Sequence, residues 1–252
     1  MSSVETVLTI LVDNQARPPL ASEHGFALWI QAEGRRILFD TGQGAALPGN
    51  AERLGIDPAS ADALVLSHGH YDHGGGIARV LEKNPALAVY AHPRVLRSRF
   101  AISDREIRPV QLPGSAMEAL QRHPDVHRVR REVRLGTDIG LTGPIPRPST
   151  FEDPGGPFYL DPAGRFPDSV DDELALWIGT PAGLVVCVGC AHAGLINTLH
   201  LARRQSGLDR IAAVVGGFHL GSADGRRLER TVGALRQLAP ERLVPCHCTG
   251  AR

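Results

Sequence analysis

The chain has 252 residues, enough for one large α/β core, with 42% hydrophobic residues and only 5% aromatic ones. Lys plus Arg and Asp plus Glu both number 27, so no long-range field draws it to nucleic acid or an anionic membrane, and any attraction for anions must be local. No apolar run reaches the roughly 18–20 residues of a spanning helix, and the opening MSSVETV lacks the basic start and apolar stretch of a secretion signal. A soluble cytoplasmic protein is the expectation.

The first forty residues hold three apolar segments, VLTILVDN, FALWIQAE and RRILFDTG, whose β-branched content and polar separators predict strands, with Asp40 at the end of the third. A short helix is predicted from about Ala45 to Leu54. ADALVLS then reads as a buried strand running into HGHYDH. GGGIARVLEKN opens on glycines and continues with Ile77, Val80 and Leu81 at helical spacing, and LAVYAHP is the next strand.

From about 93 to 171 the pattern loosens, with eleven of the nineteen prolines, clustered arginines and short pieces such as VHRVRREVRL and DIGLTGPI. This segment reads as an irregular elaboration on a single domain spanning 1–252. Its arginines, including Arg94, Arg97, Arg99, Arg105 and Arg108, read as a solvated, ion-paired face, with a lid that presents one or two of them to an anion as the alternative.

Regularity returns with LALWIGT and GLVVCVG, a hairpin leading into CAHAG and a helix from about Leu195 to Gln205. IAAVVGGFHL, the helix DGRRLERTVGALRQL and the strand RLVPCHC follow. The second half echoes the first, since each has a hairpin of Trp-containing strands and a strand that enters a histidine-bearing turn before a helix.

The chemistry concentrates where ADALVLS stops. In extended chain, side chains two apart share a face, so His68 and His70 can meet one ion. The glycines at 74–76 release the turn, which lets Asp72 and His73 reach a neighbouring position about 3.5–4 Å away, the usual spacing of a two-metal site. Four ligand-type residues in six positions, after a buried strand and before a glycine-opened helix, do not arise readily from packing. The isolated His92, His123, His127 and His200 receive no role.

With the His-x-His-x-Asp-His motif at 68–73, the sequence resembles the metallo-β-lactamase-fold hydrolases over nearly its whole length. The blocks EHGFALWI, ILFDTGQG, SHGHYDHGGG, DDELALWI, GCAHAGLINT, GGFHLG and PCHCTG are similar to one branch in particular. That branch is labelled 7,8-dihydropterin-6-yl-methyl-4-(β-D-ribofuranosyl)aminobenzene 5′-phosphate synthase-like.

The resemblance implies an α/β fold, a four-layer αββα sandwich. It implies two divalent ions, zinc first with manganese or iron as alternatives, with His68, His70 and His192 on one and Asp72, His73 and His247 on the other. Where most members place a bridging aspartate this chain offers GGFHLGSAD, so His219 takes the strand-end position and Asp224 is the alternative. An imidazole normally lends one nitrogen to one ion, so His219 would bridge poorly, and a mononuclear centre with a weak or empty second site is the alternative.

Such a centre is rich in neutral imidazoles and poor in carboxylates, and should favour an anionic substrate. Asp40 is the candidate to hold a metal histidine by its second N–H, and Glu23, His24 and Asp172 are further candidates around the metals or substrate.

The implied activity is hydrolysis of a phosphodiester, lactone, ester or thioester by a metal-bound hydroxide, with Asp72 as proton acceptor. The alternatives are a condensing or lyase-type reaction on a phosphate substrate of pterin metabolism and a nucleic-acid-processing nuclease. The diiron oxidoreductases of similar fold carry glutamate where His70 stands here. Cys187, Cys190, Cys246 and Cys248 read as reduced thiols used chiefly for packing, with contacts around the metals next and a Cys₄ zinc site last.

Overall fold

The computed structural model describes residues 5–250; the first four residues of the MSSVETV opening read for a leader lie outside them. The chain divides into two compact units, residues 5–97 with 111–129, and 98–110 with 130–250. Among the described residues no helix is long and apolar enough to cross a membrane.

The first unit is built on a six-stranded sheet. Val7–Val12 pairs antiparallel with Ala27–Ala32, which pairs antiparallel with Arg35–Phe39. From there the sheet is parallel through Ala63–Leu66, Ala88–Ala91 and Val126–Arg128. Ala63–Leu66 is apolar at every position and buried at every position, as a strand covered on both faces must be. The helices Ala46–Arg53 and Ile77–Lys83 contribute Ala46, Leu47, Ile77, Val80 and Leu81 to a core with Leu38, Leu64, Leu66 and Val89.

The second unit repeats this order. Ile139–Leu141, Leu176–Thr180 and Gly183–Val188 pair antiparallel in sequence, then Ile211–Gly217 and Leu243–Cys246 extend the sheet in parallel, with Val133–Arg134 at the far edge. The echo read from the sequence is therefore a repeat of strand order and direction, not only of composition. Helices Leu195–Ser206 and Gly225–Leu238 belong to this unit, and Leu195, Leu199, Trp177, Val186, Val214 and Phe218 form its core.

The 93–171 segment is more regular than its composition suggests. It provides the edge strand Val126–Arg128 and the helix Gly114–Arg122 to the first unit, and Ile139–Leu141 to the second. A separate small sheet in the second unit joins Phe158–Tyr159, Phe100–Ile102 and Ile107–Pro109.

In open α/β sheets ligands gather beyond the carboxyl ends of the parallel strands. Asp40 directly follows Phe39 and His68 lies two residues beyond Leu66. In the second unit Cys190 and His192 follow Val188, His219 follows Gly217, and His247 follows Cys246. The topology alone thus brings the chemistry-bearing residues of each unit to one edge of its sheet.

Candidate metal centre

In the first unit the site is organised by Asp40, fully buried at a left-handed φ of 62°. Its Oδ1 accepts from the Ser67 backbone N–H at 2.7 Å, and its Oδ2 accepts from the Ser67 hydroxyl at 2.7 Å. The same Oδ2 lies 2.7 Å from His73 Nδ1. A carboxylate only accepts, so His73 carries its proton on Nδ1 and turns an unprotonated Nε2 outward.

Ser67 passes the logic on. Its single hydroxyl proton goes to Asp40, so the contact of Ser67 Oγ with His68 Nδ1 at 2.9 Å is donated by the ring. His68 therefore also presents Nε2 as a lone pair. That atom lies 3.0 Å from His70 Nδ1, and two ring nitrogens so close can turn their lone pairs to a single ion. The His68 and His73 rings are 4.3 Å apart. Rings fixed through their far nitrogens, with the near ones convergent, are what a metal site of imidazoles requires.

Asp72 and His73 sit on a single helical turn, Tyr71–Gly74, and not on an extension of the strand. The turn is anchored from below, since the Asp72 carbonyl accepts from Phe26 N–H at 3.2 Å and the His73 carbonyl from Thr41 N–H at 2.7 Å. The carboxylate of Asp72 lies 3.1 Å from Nε2 of the half-exposed His24. Asn14 Nδ2 stands 3.3 Å from the other ring nitrogen of His24 and its Oδ1 accepts from Gly25 N–H, so Asn14 positions that imidazole. Glu23 faces elsewhere: its two oxygens accept from the backbone N–H groups of Gln43, Gly44, Ala45 and Ala46, at the start of the Ala46–Arg53 helix. Its carboxylate serves the positive end of that helix.

An expected result tests the tautomer argument. In Asp40→Asn the amide nitrogen must face either the Ser67 N–H or the side shared by the Ser67 hydroxyl and His73. The second choice forces His73, and through Ser67 also His68, to move its proton to Nε2. Zinc affinity, measured by competition with a chromophoric chelator, is expected to fall about 10–100-fold with the fold retained. An unchanged affinity would refute the assigned tautomers.

In the second unit, His192 is buried and its Nδ1 lies 2.6 Å from the Pro154 carbonyl, which fixes the proton there and leaves Nε2 for a ligand. His219, at a left-handed φ of 50°, donates from Nε2 to the Gly155 carbonyl at 3.0 Å. Gly155 is required at that approach, since a Cβ there would lie 1.9 Å from His219 Cδ2 and its φ is +82°. His247 is buried and also left-handed, at 49°.

Two cysteines join these histidines. Cys248 Sγ lies 3.3 Å from Cys190 Sγ. The ligand atoms of Cys190, His192 and His219 lie within 4.8 Å of one another, and so do those of Cys190, His247 and Cys248. Gly217 makes room for this, because a Cβ on it would come within 2.6 Å of Cys248 Sγ. Burial alone would raise the Cys248 thiol pKa, but hydrogen bonds from Cys190 and His219 and the nearby imidazoles hold it well below the ordinary thiol value. Burial likewise opposes protonation of His219, yet its contacts with Cys248 and Gly155 raise its pKa. Cys187 differs: it sits inside its strand, fully buried, and desolvation pushes its pKa far up. Cys187 packs within its strand, whereas Cys190 and Cys248 stand among the histidines.

Three candidates from the sequence take other places. Asp224 caps the Gly225–Leu238 helix by accepting from Arg227 N–H at 2.7 Å, so it is occupied as a cap. Asp172 pairs bidentately with Arg99, through contacts of 2.7 and 2.9 Å, and Arg99 also meets Asp168 at 2.9 Å. Arg99 is fully buried, so it does not belong to the solvated arginine face expected for its segment.

The acidic residue that touches the site loop is Glu173, whose oxygens accept from His192 N–H at 2.7 Å and Ala193 N–H at 2.6 Å. Burial pushes its pKa to about 7 against the pull of those two N–H groups. Arg147 clasps the same loop, donating to the His192 carbonyl at 2.6 Å and to the Ser169 and Val170 carbonyls.

With this geometry described, known proteins place the chain. The family model of the metallo-β-lactamase superfamily matches residues 23–247. The chain is 32% identical over 249 residues to 7,8-dihydropterin-6-methyl-4-(β-D-ribofuranosyl)-aminobenzene-5′-phosphate synthase of Methanocaldococcus jannaschii, covering 92% of this chain and 83% of that one. An uncharacterized protein of the same organism is 31% identical, over 97% of this chain and 91% of its own length. The crystal structure of Tm1679, a metal-dependent hydrolase of the β-lactamase superfamily, superposes with a TM-score of 0.83 at 31% identity, covering 97% of this chain and 89% of that one. The match in sequence, in α/β fold and in the residues that can hold metal gives one conclusion: the chain belongs to the metallo-β-lactamase superfamily.

Proposed function

We propose that the chain is a metal-dependent hydrolase of a small anionic substrate, a phosphodiester, lactone, ester or thioester. The observation that carries this reading is the Asp40–Ser67–His68–His73 network, which orients two imidazoles with their Nε2 lone pairs outward beside His70 and Asp72. The superfamily pattern supports His68, His70 and His192 on one divalent ion and Asp72, His73 and His247 on a second, with zinc the first choice and manganese or iron next. Two such ions supply Lewis acidity and activate water at neutral pH without a serine or cysteine nucleophile.

The chain's own residues do the rest. Asp40 and Ser67 hold the ring orientations, Asp72 accepts a proton, and His24, 3.1 Å from Asp72 and half-exposed, offers that proton a route to solvent. A second reading, a condensing or lyase-type step on a phosphate substrate, is favoured by the synthase relative. In that case the same residues bind phosphate without transferring it to water.

The test is metal analysis of the purified chain, then a screen of phosphodiester, lactone, thioester and β-lactam substrates beside His70→Ala. Turnover in the metal-loaded chain that His70→Ala abolishes supports hydrolysis. No turnover on any class, with His70→Ala binding phosphate esters as the parent does, overturns it.

A further inference from the structure

We propose that Cys190 is a thiolate metal ligand within the second unit's histidine cluster, supplying the anionic donor that His219 cannot, with Cys248 as a further thiolate ligand. The inference rests on the metal-binding reading of the same centre and adds the class of donor. It starts from a deficit: GGFHLG puts an imidazole at the strand end, and an imidazole lends one nitrogen to one ion. Asp224, the nearest carboxylate downstream, is held as a helix cap.

Cys190 is placed to make up that deficit. It is the common member of two ligand triads within the second unit, one with His192 and His219 and the other with His247 and Cys248. Cys190 is thus the donor within reach of His192 and of His247 alike. A thiolate brings the negative charge that a neutral imidazole does not.

The local backbone is arranged around this grouping. Ala191, His219 and His247 all adopt left-handed φ values of 52°, 50° and 49°, a conformation unusual for residues other than glycine. These kinks lie beside Cys190, at the end of the Ile211–Gly217 strand and beside Cys248. Gly217 lacks the Cβ that would crowd Cys248 Sγ. Strain gathered at three strand ends around two thiols 3.3 Å apart is more than packing of small apolar groups calls for.

The chemistry follows from the donor type. Each thiol that ligates releases one proton to solvent, and no oxidant is involved. Sulfur selects zinc, cobalt or iron over manganese or magnesium. Two divalent ions facing one carboxylate leave a formal surplus of three positive charges; two thiolates cut it to one, so a singly charged anion suits the centre better than a dianion.

The experiment uses the full chain, kept reduced with a phosphine, stripped by chelator and reloaded with zinc or cobalt. X-ray absorption of the zinc form is expected to show a sulfur shell at about 2.3 Å; a shell of nitrogen and oxygen alone overturns the proposal without any variant. The cobalt form is expected to show thiolate-to-metal charge-transfer absorption. Cys190→Ser should lose most of it and bind metal at least about 10-fold more weakly. Cys248→Ser should lose the smaller part, with metal-free variants matching the parent in thermal unfolding.

Absorption and affinity unchanged in Cys190→Ser also overturn it, as does a Cys190–Cys248 disulfide that persists under reductant and excludes metal. His68→Ala/His70→Ala separates the two readings: the thiolate absorption persists in it while turnover is lost. A sulfur shell without hydrolysis of any substrate leaves this inference standing and removes the hydrolase; hydrolysis without sulfur does the reverse.

Discussion

Arg99→Met is expected to lower the stability of the chain by about 3–5 kcal/mol, read as a fall in the urea midpoint at unchanged slope. Arg99 is fully buried, and its guanidinium lies against both Asp168 and Asp172, at 2.7–2.9 Å. Burial alone would lower its pKa, but the two aspartates raise it above the ordinary guanidinium value, so the group is charged at any working pH. Methionine keeps much of the volume and removes that charge from beside two buried carboxylates. Asp168 keeps the backbone N–H of Val170, and Arg147 interacts with both at a distance.

The consequence reaches the candidate metal centre, because Asp172 adjoins Glu173, which holds the His192 loop. Arg99→Met is therefore expected to loosen His192 as well as the fold. Arg99→Lys, which keeps the charge and loses the fork, should fall between the parent and Arg99→Met. Adding Asp168→Leu and Asp172→Leu to Arg99→Met should recover much of the loss, since apolar packing can replace a buried ionic group. A loss below about 1 kcal/mol for Arg99→Met would mean the triad is solvated and the burial argument fails.

The same residue shows where sequence reading stops. Strands such as Ala63–Leu66 and Gly183–Val188 are legible because period and composition are local, and so is the His68–His73 cluster, whose members are near neighbours in the chain. Asp40 was legible from its place at a strand end. Arg99, by contrast, stands among exposed arginines in a proline-rich stretch, and its partners lie 69 and 73 positions away. Nothing in the local pattern marks it as buried. Asp172 and Glu173 are adjacent, and which of them turns toward His192 depends on the chain's path, which the local pattern does not carry.

The cysteines repeat the lesson in another form. The four cysteines are neighbours two by two along the chain, yet the contact that forms is a distant one: Cys190 meets Cys248 across 58 positions, while Cys187 stays inside its strand. Alternation explains it, since positions three apart in extended chain face opposite sides, and the strand ends at Val188, before Cys190. His92 follows the fifth strand of the first unit as His247 follows that of the second, yet it accepts from Arg94 N–H as a cap. Equivalent positions in the two repeats thus carry different work, and only the contacts separate them.

On the hydrolytic reading, Asp72→Asn is expected to lower kcat by about 10²–10⁴-fold, with KM changed far less. The two side chains have one shape, and the anchors of the turn are backbone groups, the Phe26 N–H on the Asp72 carbonyl and the Thr41 N–H on that of His73. The fold should therefore stand, with thermal unfolding close to the parent. What changes is chemistry: an amide oxygen accepts no proton at neutral pH, and its NH₂ group, if turned toward His24, meets a ring nitrogen that donates.

The partner residue grades the effect. His24→Ala removes the half-exposed relay but leaves the acceptor, so its loss should be smaller, about 10-fold, and should shrink in buffers whose small bases can carry the proton instead. Asp72→Asn should gain nothing from such buffers. Equal losses in both variants, with equal rescue, would move the proton acceptor from Asp72 to His24. A normal kcat in Asp72→Asn with full metal content would remove Asp72 from the reaction, leaving it a role in holding metal alone.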